Sequence, residues 1–166
     1  MATGRNTKLT GAIGEYLVAA ELCRLDLMAT TFTGNVPDYD IVATDSEFRT
    51  VLVQVKTITG TSWQFDFRKF CDVSLNGKKQ ILGEPVKLKR DIVCVMVALG
   101  DYGTDRFYVL RWSELGKIVI KSHKAFLDKH EGIRPRRHDS FHCAIKESDM
   151  TNYKNNWKLV NEMLSE

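Results

Sequence analysis

The sequence predicts a mixed α/β fold in which helices flank one central mixed β-sheet. Over 8–25, apolar residues recur at three- and four-residue steps, which is typical of a helix. Over 39–44, 49–57 and 91–99 they alternate with polar residues or run together, which is typical of strands. The order α-β-β-β followed by β-β-α-β-α indicates helices packed on one sheet.

In the first half of the chain, the apolar periodicity predicts one helix and three strands, and it ends at about residue 58. The expected elements are a helix over 8–25, strands over 28–33, 39–44 and 49–57, and a turn over 34–38. The segment TDSE joins the second and third strands as a hairpin connection. Residues 58–90 resist assignment, because glycines and a proline interrupt their short apolar pieces.

The second half resumes with clear strands and helices. The expected elements are strands over 91–99 and 106–112, a helix from about 113 to 129, a strand over 140–145 and a last helix to the C-terminus. Ser113 is the expected N-cap of the first of these helices, and Ser148 with Asp149 would cap the second.

Composition indicates one globular domain spanning 1–166. The chain has 166 residues, of which 43% are hydrophobic and 27% charged, so it can bury a core. The longest apolar run, over 93–99, is too short to span a bilayer, and the N-terminal segment lacks an apolar signal core. Four scattered cysteines without a CxxC pair are typical of reduced thiols. We therefore expect a cytoplasmic protein without a membrane association.

Basic residues cluster at three places although the net charge is only +3. Lys78 and Lys79 follow an Asn-Gly turn, KLKR occupies 87–90, and RPRRH occupies 134–138. Such clusters suit contacts with nucleic-acid phosphates. Each alone is more typical of a solvated surface, whereas the three together favour a polyanionic partner. The candidate nucleic-acid contacts are Lys87, Lys89, Arg90, Arg134, Arg136 and Arg137.

Two polar features sit in apolar surroundings. In the strand over 49–57 three valines share one face, while the other face carries Gln54 and Lys56. In the first helix, Glu15 shares a face with Val18 and Leu22. A carboxylate within an apolar stripe is costly unless it is paired, hydrogen-bonded or bound to a metal. A salt bridge or an exposed helix face is the alternative explanation.

The predicted elements bring these groups together with a third. Asp40 opens the second core strand, so a hairpin would place it near the end of the next strand that carries Gln54 and Lys56. A helix packed on the sheet would add Glu15. Two carboxylates, an amide oxygen and an ammonium group at a sheet edge suit Mg²⁺, which binds oxygen ligands and a substrate phosphate.

The arrangement resembles the PD-(D/E)xK nuclease superfamily. The residues that carry the likeness are Glu15 in the first helix, PDYD over 37–40 and QVK over 54–56. The likeness covers roughly 8–58 and extends to small prokaryotic proteins related to archaeal Holliday-junction resolvases and to homing endonucleases with a QxK motif. It implies a restriction-endonuclease-like core: a central mixed sheet flanked by helices.

The resemblance also implies a role for each site residue. Asp40 would be the principal ligand of Mg²⁺ or Mn²⁺, Glu15 a ligand directly or through water, and Lys56 the catalytic lysine. Gln54 stands where the family has Asp or Glu and would give its carbonyl oxygen at the loss of one negative charge. Asp38 is the alternative to Asp40 as the ligand.

The implied function is a divalent-metal-dependent DNA endonuclease that hydrolyses phosphodiester bonds with metal-activated water. The alternative is a non-catalytic nucleic-acid-binding or complex-forming protein that keeps the nuclease fold, which the neutral Gln54 allows. A homodimer is one expected assembly, because an enzyme of this kind would cut both strands. A zinc site at His138, His142 and Cys143 is disfavoured, because no second ligand pair accompanies them.

Overall fold

A computed structural model describes residues 4–32, 38–87 and 90–166 of the chain. Three α-helices and nine β-strands occur within the described residues. In chain order they are α1 (Gly4–Arg24), β1 (Met28–Thr31), β2 (Ile41–Thr44), β3 (Thr50–Ile58), β4 (Ser62–Asp66), β5 (Cys71–Asn76), β6 (Lys79–Pro85), β7 (Val93–Ala98), β8 (Arg106–Arg111), α2 (Trp112–Asp128), β9 (His142–Lys146) and α3 (Lys158–Leu164).

The main sheet has five strands in the order β1-β2-β3-β7-β8, so β3 is its central strand. β3 pairs with β7 in parallel, and the other neighbours are antiparallel. β4 pairs with β9 and β5 with β6 in two separate antiparallel ribbons. The predicted mixed sheet with flanking helices is confirmed.

Both faces of the main sheet are covered, which explains why β3 and β7 are so apolar. Val51, Val53 and Val55 of β3 lie in a core with α1 and α3. The opposite face of β7, with Cys94 and Met96, packs against α2 and the β4–β9 ribbon. All six residues of β7 are buried, as expected of a strand covered on both sides.

α1 packs on the core through the predicted stripe. Val18 and Leu22 are fully buried, while Glu21 and Arg24 form an exposed ion pair of 2.7 Å on the other side. One turn before Val18, Gly14 lies directly against β3. A β-carbon at Gly14 would come within 1.8 Å of the Thr57 hydroxyl oxygen, so this close approach requires glycine.

Several predicted boundaries are wrong, for identifiable reasons. α2 begins at Trp112 with Arg111 as its N-cap, because the hydroxyl of Ser113 donates to Asp91 instead of capping the helix. The segment after β9 forms a 3-10 helix over Glu147–Tyr153, and only Lys158–Leu164 is α-helical. The strand expected over 28–33 ends at Thr31, and the turn over 34–38 falls almost entirely outside the described residues.

The region that the sequence left unassigned contains three of the four ribbon strands. β4, β5 and β6 fall within 58–90 and are only five to seven residues long. Within the described residues, no helix is both long and apolar enough to cross a membrane.

Candidate metal and phosphodiester site

The site lies where β2 begins. Ile41, the first residue of β2, pairs with Val53, so β3 continues beyond its neighbour and leaves that side of its backbone open. Asp40 fills the gap: its own N–H donates to the Val53 carbonyl at 2.8 Å, and its carboxylate accepts the Val55 N–H at 2.7 Å. The carboxylate therefore occupies the place of the missing strand.

Gln54 lies directly opposite Asp40 in this register. Its side-chain nitrogen donates to the same oxygen of Asp40, Oδ2, that accepts the Val55 N–H. An ionised carboxylate only accepts hydrogen bonds, so the amide must present its nitrogen to it. Rotation of the amide by half a turn would present its carbonyl oxygen instead, which is the arrangement that a cation bound between the two groups requires.

Glu15 reaches the same place from α1. Partial burial raises the pKa of its carboxyl group, and the negative charge of Asp40 raises it further. The two carboxylates thus repel each other across a shared space. A cation between them would relieve that repulsion, so the donor set fits a divalent metal ion.

These side chains line an open cavity of about 880 Å³. Of the described residues that line it, only Glu15, Asp40 and Lys56 are charged, which leaves one negative charge in excess. The remaining lining is neutral: Asn6, Thr7, Leu9, Thr10, Gly11, Ile13, Gln54, Val55, Thr57, Ile58, Thr59, Gly60 and Gln64. The cavity therefore favours a cation together with an anionic group that Lys56 can contact.

The lining of the cavity favours Asp40 over Asp38 as the candidate metal ligand. Asp40 lines it, whereas Asp38 is exposed, has a positive φ of 76° and is not among the lining residues. Across the described residues, no three His, Cys, Asp or Glu side chains cluster as a metal-binding group. A metal site here would accordingly use two carboxylates and the Gln54 amide oxygen.

Trp63 fixes the backbone beside Lys56. Its indole N–H donates to the Lys56 carbonyl at 2.9 Å, and the ring is only 1% exposed, with an edge contact to Tyr108. The ring lies inside the core, so it is not accessible for stacking on a nucleic-acid base. The role that its burial supports is to anchor the end of β3.

Sequence reasoning missed several polar lining residues. Thr10 faces the cavity from α1, Thr59 from the turn after β3, and Gln64 from the exposed face of β4. Each is an ordinary polar residue with no motif around it. Only the fold brings them to the cavity.

The predicted basic residues do not form one surface. Arg90 donates to the Thr50 carbonyl at 3.4 Å, at the opposite end of β3 from Lys56. Lys87 lies beside Trp112 in a separate groove, and Lys89 lies outside the described residues. Arg136 and Arg137 are exposed together in the loop before β9.

Arg134 has a structural role within that loop. Its guanidinium donates to the carbonyls of Ser140 and His142 and lies over the ring of Phe126. The charge stays near the surface, and one terminal nitrogen, Nη1, makes both hydrogen bonds that hold the loop closed.

Comparison with known proteins identifies the fold. No protein-family model matches the chain, and no curated protein does. Among solved structures the chain is similar to I-Ssp6803I, described as a bacterial homing endonuclease, with 18% sequence identity and a TM-score of 0.51. The match covers 95% of this chain and 94% of that one. At this identity the similarity establishes a nuclease-like fold.

Proposed function

We propose that this protein is a divalent-metal-dependent endonuclease of the PD-(D/E)xK type that hydrolyses phosphodiester bonds in DNA. The observation that carries the proposal is the cavity beside the open end of β3, which gathers Glu15, Asp40, Gln54 and Lys56. Two carboxylates with one lysine are what metal-assisted phosphodiester hydrolysis needs.

Glu15, Asp40 and Gln54 would hold Mg²⁺ or Mn²⁺. A bound ion would supply Lewis-acid polarisation of the phosphoryl group and a water of lowered pKa. The protein's contribution is to hold its donors in place: the Val55 N–H orients the Asp40 carboxylate, and the close contact of Gly14 with β3 sets the position of Glu15. Such fixed donors need little rearrangement on binding.

Lys56 would orient the attacking water or stabilise charge that develops on the phosphate. The backbone of Lys56 is held on one side by β7, where it pairs with Met96, and on the other by the Trp63 indole. Among the described residues that line the cavity, its ammonium group is the only positive charge. A neutral side chain of similar length should therefore reduce the rate more than it reduces DNA binding.

The structural neighbour supports DNA as the substrate, because that protein is a homing endonuclease. The exposed Arg136 and Arg137 are consistent with phosphate contacts. A cytoplasmic location and action as a homodimer complete the proposal.

The competing function is a DNA-binding protein that keeps the fold without catalysis, and Gln54 favours it because it lowers the charge of the site. Labelled linear, nicked and branched duplexes, incubated with EDTA, Mg²⁺ or Mn²⁺, separate the two. The proposal expects metal-dependent cleavage of at least one substrate, lost in Lys56→Met while binding is retained. Binding of all substrates with no cleavage in any metal would favour the competing function.

A further inference from the structure

Gln80 and His123 are the buried polar side chains of the described residues, each 3% exposed, and neither belongs to the cavity described above. Gln80 lies near the start of β6, and its side-chain nitrogen donates to the carbonyls of His138 and Ser140, both at 2.9 Å. Its side-chain oxygen lies 3.0 Å from Nε2 of His123 on α2. One amide thus joins β6 and α2 to the loop over 132–140, which carries Arg134, Arg136 and Arg137.

The hydrogen bonds determine the tautomer of His123. Carbonyl oxygens only accept, so the Gln80 nitrogen must face the loop and its oxygen must face His123. Nε2 of His123 therefore carries the proton and donates to Gln80. The ring of His123 also packs on Phe67, with centroids 4.2 Å apart, so its own position is fixed.

The backbone of β6 adds two further ties to the loop. The Gln80 N–H donates to the Gly132 carbonyl at 2.9 Å, and Lys79 forms an isolated β-bridge with Ile133. Residues 132–140 are thus bound to β6 at both ends. The loop arginines and the turn of the β5–β6 hairpin consequently form one surface.

The outer face of the hairpin is mainly polar. Val73 and Leu82 pack towards the core, whereas Ser74, Asn76 and Lys79 are exposed together with the apolar Ile81, and Gly77 makes the turn with φ of 60°. Lys78 and Lys79 stand at this turn, next to the loop that carries Arg136 and Arg137. The turn and the loop, residues 77–79 and 134–140, carry five cations and one carboxylate, Asp139. Asp128 and Glu131 at the end of α2 line a groove together with Lys79, and Asp72 and Glu84 are at the base of the hairpin.

A ribbon connects this surface to the catalytic cavity. In the β4–β9 pair, Gln64, which lines the cavity, stands opposite Ala144, and Asp66 stands opposite His142, whose carbonyl accepts from Arg134. Two residues of strand span about 7 Å. The loop that Arg134 holds therefore joins the ribbon about 7 Å along β4 from the cavity wall at Gln64.

We propose that Lys78, Lys79, Arg136 and Arg137 form a single platform that contacts the backbone phosphates of a DNA duplex lying across the cavity, and that the Gln80–His123 pair sets the shape of this platform. The proposal rests on the proposed endonuclease function and deepens it. A duplex fits better than a single strand, because the exposed outer face of the hairpin has no aromatic side chain on which bases could stack.

Fluorescence anisotropy of a labelled duplex, titrated with protein in EDTA at several salt concentrations, tests the platform without any cleavage. Each lost phosphate contact lowers the slope of log K against log salt by about 0.9. Lys78→Ala/Lys79→Ala and Arg136→Ala/Arg137→Ala should each lower it by about 2. The matched control is Lys154→Ala/Lys158→Ala, which removes the same charge near α3 and should leave the slope unchanged.

Gln80→Met tests the positioning role, since it keeps the size of the side chain and the net charge. It should lower duplex affinity and the salt slope, because Arg136 and Arg137 lose their fixed position. Circular dichroism and a melting curve establish that the variant is folded; if it is not, the surface variants decide the proposal alone.

The outcomes separate this proposal from the endonuclease proposal. The platform is overturned if the lysine and arginine variants keep the slope of the Lys154→Ala/Lys158→Ala control. The platform is supported if the lysine and arginine variants lower the slope of log K against log salt, even if the protein cleaves no DNA with any metal. Cleavage that depends on Asp40 together with unchanged slopes would leave the endonuclease standing and remove the platform.

Discussion

The carboxylate of Asp40 accepts the side-chain amide of Gln54 through the same oxygen that accepts the Val55 N–H. Gln54 thus supplies a hydrogen bond to the Asp40 carboxylate when no cation is bound. Replacement of Gln54 should consequently have opposite effects with and without metal.

Gln54→Glu should bind Mn²⁺ more tightly than the wild type and be less stable without it. The new carboxylate adds one negative charge for the ion, worth on the order of tenfold in affinity. Without metal it faces Asp40 and stands near Glu15, so the melting temperature should fall. Calorimetric titration and melting curves with and without Mn²⁺ measure both effects.

Gln54→Ala is the companion variant, since it removes the oxygen without adding charge, and it should weaken both metal binding and cleavage. A lower melting temperature in Gln54→Glu with unchanged Mn²⁺ affinity would show that Gln54 is structural only.

Glu15→Gln should raise the melting temperature of the metal-free protein. The pKa of Glu15 is raised in the fold by burial and by Asp40, so its ionised form costs stability at pH 7 and this cost disappears as the pH falls through that pKa. The gain should be small, because solvent screens a carboxyl group that is only partly buried. The difference from wild type should shrink at low pH.

Addition of Mn²⁺ should reverse the order of the two melting temperatures, because the ion stabilises the wild type more than it stabilises Glu15→Gln. Differential scanning fluorimetry over pH and Mn²⁺ concentration measures this. Equal Mn²⁺ shifts for both proteins would exclude Glu15 from the metal site.

Gly14→Ala should destabilise the protein by about 1–3 kcal/mol, because the new methyl group would overlap the Thr57 side chain. It should also weaken Mn²⁺ binding, since Glu15 is the next residue. Thr57→Ala in the same chain should recover part of the loss, but not all, because the Thr57 β-carbon would still lie 2.8 Å away.

Gly11→Ala is the matched control in the same helix. Nothing lies within 4 Å of a β-carbon at Gly11, so alanine there should increase stability by up to about 1 kcal/mol. Urea unfolding gives the free energy of unfolding of the wild type and of the variants Gly14→Ala, Gly14→Ala/Thr57→Ala and Gly11→Ala. Equal effects at Gly11 and Gly14 would contradict the close packing of α1 on β3.

His123 should make stability depend on pH. Burial, with a smaller effect from Arg134, lowers the pKa of His123 to about 4 from 6.5. The unfolded chain binds a proton below pH 6.5 that the folded protein takes up only near pH 4, so stability falls as the pH drops through this window, by roughly 3 kcal/mol.

The measurement is the free energy of unfolding of the wild type minus that of His123→Gln between pH 7 and 4. Subtraction removes the contributions of the other titrating groups. Parallel profiles for the two proteins would contradict the buried neutral histidine.

The elements around the cavity could be predicted because their signals are local. The apolar stripe of α1, the alternation in β3 and the position of Asp40 at the start of β2 together placed Glu15, Gln54 and Lys56 near one another. The prediction erred in calling the location a sheet edge: β3 is central, and the opening arises because β2 begins only at Ile41 and leaves the last residues of β3 without a partner on that side.

What the sequence could not reveal depends on distant partners. β4 is a five-residue strand whose partner β9 lies 78 residues away at the Phe65–Cys143 contact. Ser113 has the chemistry of a helix cap, but Asp91 takes its hydroxyl. Lys79 lies against the loop before β9, because the neighbouring Gln80 binds His138 of that loop, 58 residues further along the chain.

The rate at which purified protein nicks supercoiled plasmid DNA in Mg²⁺, compared between wild type and Asp40→Asn, is the most direct test of the proposed endonuclease. Protein concentrations that saturate the DNA for both variants separate catalysis from binding. The account predicts nicking by the wild type that EDTA abolishes and that Asp40→Asn reduces by at least about 100-fold. Nicking that survives both EDTA and Asp40→Asn, or a plasmid that is bound but never nicked, would contradict it.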